Sequence, residues 1–98
     1  MTPGDLFRAL GSDIRLSILQ LLARQDGTLT VEVLTERLNE RGWVLAQPTV
    51  SFHLHILKRA GIITYTARGQ KRFYHVEPHV FDPVTAWLTA FTQEEALT

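Results

Sequence analysis

The residues of this 98-residue chain that could do chemistry are unevenly placed. Between Arg41 and Val76 stand six cationic side chains, Arg41, Lys58, Arg59, Arg68, Lys71 and Arg72, and not one carboxylate. From Met1 to Glu40 six acids face four bases, and from Glu77 to Thr98 there are four acids and no base. The formal net charge is zero, yet the middle third would attract anions while both ends repel them. A polyanion such as a nucleic acid fits this pattern. On charge alone, a solvated face with chance clustering fits it equally well.

Other chemistry is sparse. The chain has no cysteine, which removes disulfides, thiolate metal sites and cysteine nucleophiles. It has no glycine-rich phosphate loop, no nucleophile elbow and no serine standing with a base in a recognised order. No enzyme is therefore expected, and no cofactor is implied. His75, Glu77, His79 and Asp82 form a loose imidazole–carboxylate cluster that could take zinc, a weak metal candidate.

These side chains must be positioned by one small domain, since a chain of this length holds one core; residues 1–98 are expected to form it. No stretch approaches the roughly 20 apolar residues needed to cross a bilayer. Met1–Leu10 lacks a basic start followed by an apolar run, so no secretory signal is expected and a cytoplasmic location is the default.

The pattern predicts a mainly α chain with a small antiparallel β-hairpin. Thr2 caps a first helix over Pro3–Leu10, with Pro3 at its first position and Asp5 in its first turn. Gly11 stops it. Ser12 caps a second helix to about Arg24, with Ile14, Ile18, Leu21 and Leu22 on one face and Leu16 and Leu19 widening the apolar arc. After the turn at Gln25–Gly27, Thr28 and Leu29 suit a very short strand. Thr30 caps a third helix to about Glu40, and an irregular connection, Arg41–Ala46, follows. A fourth helix starts near Pro48 and ends before Gly61. Ile62–Thr66 and Arg72–Val76 read as strands joined by the loop Ala67–Lys71. Asp82 caps a last helix running to about Glu95, with an apolar stripe of Val84, Trp87, Leu88 and Phe91.

At about 100° per residue the fourth helix sorts into two faces. Val50, Leu54 and Leu57 fall on the core side, and Pro48, Ser51, Phe52, His55 and Arg59 on the opposite arc. A helix of this width fits the major groove of a DNA duplex, where each base pair shows a distinct donor and acceptor pattern. Phe52 could rest on a thymine methyl or tuck against Trp43. His53, at the edge of the core arc, is expected to be structural.

The run Gln47-Pro48-Thr49-Val50-Ser51-Phe52-His53-Leu54-His55-Ile56-Leu57-Lys58-Arg59-Ala60-Gly61-Ile62-Ile63 resembles the recognition helix of the ArsR family of winged helix-turn-helix repressors. Leu6–Leu19 is similar to the family's opening segment, and Arg68-Gly69-Gln70-Lys71-Arg72-Phe73-Tyr74 to its wing. The likeness covers about residues 5–92. Two departures stand out: the connection before Gln47 is several residues longer than is usual, and the cysteine motif of the arsenic- and cadmium-sensing members is absent.

The resemblance implies a sequence-specific regulator of transcription that binds double-stranded DNA at a short inverted repeat. Helix-turn-helix proteins read base edges with the N-terminal residues of the recognition helix. That singles out Gln47, Thr49, Ser51 and Phe52 for bases, and leaves His55, Lys58, Arg59, Arg68, Lys71 and Arg72 for phosphates. Gln47 can pair bidentately with adenine, or it can simply cap its helix; the resemblance favours DNA. It also favours a homodimer through the first and last helices, with Leu6, Phe7, Leu10, Trp87, Leu88 and Phe91 at the interface. Two other functions stay open: a winged-helix module that binds another protein through Trp43 and Phe52, and a metal-responsive sensor of the same fold.

Overall fold

The computed structural model describes residues 2–92. Five helices and one hairpin follow each other in the order α1 (Pro3–Leu10), α2 (Asp13–Arg24), α3 (Val31–Glu40), α4 (Gln47–Arg59), β1 (Ile63–Arg68), β2 (Lys71–Val76) and α5 (Asp82–Thr92).

The helix starts follow local hydrogen-bonding chemistry. Thr2 and Asp5 form a reciprocal capping box at α1, Ser12 accepts from the Arg15 N–H at α2, and Thr30 accepts from the Val33 N–H at α3. At α5 the expected cap moves by one residue. The Phe81 carbonyl accepts the first helical bond from the Thr85 N–H (2.8 Å), so Asp82 is the helix's first residue and not its cap. The expected end near Glu95 lies outside the described residues.

Leu6, Ile18, Leu22, Leu29, Leu34, Leu38, Val50, Leu54, Leu57, Ile62 and Ile63 are fully buried and form one core shared by α1 to α4 and the base of the hairpin. Each contributes roughly 1.5–3 kcal/mol by leaving water. Leu19 joins them, whereas Leu16 stays exposed. Leu29 makes a single antiparallel bridge with Tyr74 in place of the expected short strand, and the Gly27 N–H to the Tyr74 carbonyl (2.9 Å) and the Val76 N–H to Asp26 (2.9 Å) tie the same strand to the turn after α2.

The hairpin is longer and tighter than expected. The strands pair from Ile63↔Val76 to Arg68↔Lys71, leaving Gly69 and Gln70 as a two-residue turn where a five-residue loop was expected. Gly69 has φ 63° and Gln70 does not share the positive φ, the pattern of a type II′ turn, whose twist matches that of the strands. Pairing therefore runs to the end of the hairpin.

The connection before α4 is irregular but held. The Asn39 side-chain amide bonds both backbone groups of Leu45, accepting from its N–H (2.8 Å) and donating to its carbonyl (3.1 Å). Trp43 packs against the core, and Val44 between these two anchors is 97% exposed.

Candidate nucleic-acid interface

α4 carries its two faces as its periodicity dictates. Val50, Leu54 and Leu57 lie in the core, and Gln47, Pro48, Thr49, Ser51, Phe52 and His55 lie exposed. Ala46 is the N-cap, with extended backbone (φ −84°, ψ 153°) and no side-chain cap bond, so Gln47 is not consumed as a cap. Phe52 stays 59% exposed and pairs edge-on with the ring of His53 (5.7 Å between centroids), and among the described residues it makes no ring pair with Trp43.

Beside this exposed face runs a groove of about 390 Å³ that separates α4 from the hairpin. Ser51, His55 and Lys58 line it from α4, Gln70, Lys71 and Arg72 from the turn and β2, and Leu54 and Tyr74 from beneath. Glu32, in the first turn of α3, stands at its edge. Its carboxyl is held below the usual range, chiefly by hydrogen bonds from its own N–H and from Thr30, with attraction from Lys71 adding to them. Tyr74 is pushed above the usual phenol range by burial, against the opposing influence of Arg72.

Three of the cations, one from α4 and two from the hairpin, rest on aromatic rings. The Lys58 Nζ lies 5.4 Å and the Arg72 Cζ 4.6 Å from the centroid of Tyr65, and the Arg68 Cζ lies 5.3 Å from that of Phe73. Arg68 is the last paired residue of β1 and not part of a loose loop tip. Among the described residues none of Lys58, Arg68, Lys71 and Arg72 has a carboxylate within 4.0 Å. Lys58, Lys71 and Arg72, with His55, line the groove, whereas Arg68 rests on Phe73 at the end of the hairpin and outside that lining. Arg59 also lies outside it, lining a separate hollow between α1 and α4 with Asp5, Arg8 and Ala9.

His53 is tied into the scaffold. Its Nδ1 lies 3.0 Å from Arg15 Nη1, and the same guanidinium donates to the Ala9 and Arg8 carbonyls at the end of α1. Arginine can only donate, so His53 must accept through Nδ1 and be neutral. Burial and the neighbouring charge of Arg15 both hold its pKa below the usual histidine range.

The weak metal candidates part company. His75 bonds Thr66 Oγ1 through Nε2 (2.8 Å) and faces Asp26 through Nδ1 (3.5 Å), while His79 faces Asp82 (3.5 Å). Among the described residues no three His, Cys, Asp or Glu side chains converge as a metal site.

α1 and α5 lie together, with Phe7 edge-on to Trp87 (5.4 Å) and Trp87 edge-on to Phe91 (4.6 Å). Phe7, Trp87, Leu88 and Phe91 are exposed and Leu10 half-buried, whereas Leu6 is only 1% exposed. Leu6 is therefore withdrawn from the expected interface set: its side chain is spent on its own core and has no area left for a partner.

Sequence pattern alone did not single out Tyr65, Arg15 or Glu32. Tyr65 becomes visible only once the strand register is known, because the pairs Tyr65↔Tyr74 and Ala67↔Arg72 put Arg72 on the ring's own face of the hairpin. Arg15 acts across elements and leaves no local signal, and Glu32 reaches the groove only because α3 packs beside α4.

Known proteins agree with this geometry. A helix-turn-helix domain model matches residues 10–66. The chain is 39% identical over 72 residues to the uncharacterized HTH-type transcriptional regulator MJ1325 of Methanocaldococcus jannaschii, covering 74% of each. It is 30% identical over 87 residues to the transcriptional repressor SdpR of Bacillus subtilis, covering 89% of each. The crystal structure of an ArsR family transcriptional regulator superposes with a TM-score of 0.76 at 31% identity, covering 100% of this chain and 96% of that one.

Proposed function

The chain belongs to the ArsR family of winged helix-turn-helix, DNA-binding transcriptional regulators, and on that premise we propose that it acts as a homodimeric repressor seated on a short inverted repeat. The observation that carries the reading is the groove between α4 and the hairpin. Ser51 and His55 from the exposed face of α4 and three cations without carboxylate partners among the described residues, Lys58, Lys71 and Arg72, line one concave surface. In this reading Gln47, Thr49, Ser51 and Phe52 meet base edges in the major groove. Lys58, Lys71, Arg72 and Arg68 meet phosphates, which fix register and affinity but carry no sequence information. Arg59 lies on the α1 side, outside this contact.

One recognition helix reads too few base pairs to find a site in a genome. A two-fold dimer doubles the site, with half-sites about 34 Å apart. The aromatic run Phe7–Trp87–Phe91, with Leu88, supports α1 and α5 as the dimer face, since so much exposed apolar surface is costly in a lone subunit. Repression follows from occupancy, because a protein covering a promoter excludes polymerase. The name of the SdpR relative supports that direction.

Selection of sites from random duplex DNA at two salt concentrations tests the proposal, followed by two variants. Gln47→Ala should relax preference at one base pair per half-site, by about 1–3 kcal/mol. Arg68→Ala should weaken all duplexes alike and flatten the salt dependence by about one ion. If selection enriches no sequence, or if both variants act alike, the assignment of roles is wrong.

A further inference from the structure

We infer that Tyr65 is a positioning residue that couples the recognition helix to the wing, holding Lys58 of α4 and Arg72 of β2 ready to clamp the phosphates of one DNA strand. The inference rests on the DNA-binding reading above and adds to it a residue and a mechanism.

Lys58 and Arg72 come from different elements, α4 and β2, which are fixed to each other at the root of the hairpin, where the Ile62 N–H bonds the Leu57 carbonyl (3.0 Å). The hairpin meets the helical core through Ile62 and Ile63 at its root, and β2 is held to the α2–α3 side through the Leu29↔Tyr74 bridge and the bonds from Gly27 and to Asp26. Toward its turn, the hairpin reaches α4 across the open groove. Tyr65 stands between the two. It is half-buried, its ring tilts against Tyr74 (5.9 Å between centroids), and both cations lie over that one ring, Lys58 at 5.4 Å and Arg72 at 4.6 Å.

A ring face attracts a cation without neutralising it. Two like charges that would otherwise drift apart are thus held close while keeping their full charge for an anion. Both also line the groove. The third groove cation, Lys71, differs in being attracted to Glu32, whereas Lys58 and Arg72 have no carboxylate within 4.0 Å among the described residues. The uncompensated pair is the pair on the ring. Long cationic side chains ordered before binding lose less freedom on meeting a phosphate, so the ring should appear in affinity and in the number of ions released.

The test measures duplex affinity against salt concentration for the full chain and its variants, with a fixed duplex and with random DNA. Tyr65→Leu should weaken binding to both about tenfold. It should also flatten the log–log salt dependence by one to two ions, at roughly 0.9 ion per phosphate contact. Tyr65→Phe, which keeps the ring, should restore both. Lys58→Ala and Arg72→Ala are exposed changes that leave the core intact. Their combined loss should be smaller than the sum of the single losses, because either one opens the clamp.

A Tyr65→Leu protein with an unchanged salt slope would overturn the inference, as would strict additivity of Lys58→Ala and Arg72→Ala. Should Tyr65→Leu fail to fold, as thermal unfolding would show, the Lys58–Arg72 cycle decides alone. Failure of the DNA-binding reading looks different: the unaltered chain would then show no salt-dependent duplex binding at all.

Discussion

Gly27 offers the sharpest test of how the wing is anchored. It sits in the turn between α2 and α3 with φ 74°, and its N–H donates to the Tyr74 carbonyl of β2 (2.9 Å). A Cβ placed there would come within 2.5 Å of His75 Cε1. The neighbouring Asp26 accepts from the Val76 N–H (2.9 Å) and faces the His75 ring. Gly27→Ala therefore meets two separate penalties. A left-handed backbone costs a residue with a Cβ about 1–2 kcal/mol. Displacing the imidazole forfeits its bond to Thr66, about 0.5–1.5 kcal/mol. Together they make about 2–3 kcal/mol, which lowers Tm by about 10–20 °C in a domain of this size.

Differential scanning calorimetry of four proteins separates the two penalties. In the parent, His75→Ala should destabilise, since it loses a hydrogen bond. In the Gly27→Ala background the same change should raise Tm, since it removes the clash and the bond is already broken. This reversal of sign is the diagnostic result. If Gly27→Ala melts within about 4 °C of the parent, or if His75→Ala lowers Tm equally in both backgrounds, the anchoring argument is refuted.

Three further outcomes follow from named groups. Ala46 already has the backbone of a cap but no acceptor, so Ala46→Ser should stabilise by about 1 kcal/mol with DNA affinity kept; Ala46→Asp should stabilise as well but weaken DNA binding, and equal affinities would contradict the location of the interface. His53 has its folded pKa lowered, so the stability it lends is complete above the unfolded value of about 6.5 and is lost as pH falls through it toward the folded value; melting curves from pH 7.5 to 5 should show a smaller loss in His53→Gln, which accepts from Arg15 without titrating, and parallel curves would remove the role of the Arg15 contact. Phe91→Glu places a charge in the exposed aromatic run, and sedimentation should show a monomer that binds a single half-site; a variant that sediments as the parent does would exclude this face as the dimer contact.

What could be read from the sequence was what its local chemistry determines. Thr2, Ser12 and Thr30 cap their helices because the side chain bonds an N–H only three residues on, and the inward face of α4 follows from the 3.6-residue period alone. The errors arise where a neighbour outvotes the local signal. Gly69 was correctly expected to supply a positive φ, but the turn type it selects pulled Ala67, Arg68 and Lys71 into the ladder. Leu6 and Phe7 are adjacent apolar residues on one short helix, and periodicity does not say which faces its own core and which faces outward. Tyr65 and Arg15 were silent because their partners, Arg72 with Lys58 and His53 with the end of α1, lie on other elements.

The zero net charge is no obstacle to binding a polyanion, because at physiological salt charges interact over only about 8 Å. What a phosphate meets is the local field of Lys58, Lys71, Arg72 and Arg68, and among the described residues Glu32 is the flanking acid that lines the groove beside them. At longer range the acids of the flanking segments act as well. With every carboxylate outside Arg41–Val76, charge is segregated along the chain: the middle third draws a polyanion and the flanking thirds repel it. A neutral protein with segregated charge gains less from random encounters than a uniformly basic one, so more of its affinity must come from the fit of α4 and the wing to their site. For a regulator that must leave most of the genome free, this distribution of charge favours discrimination over capture.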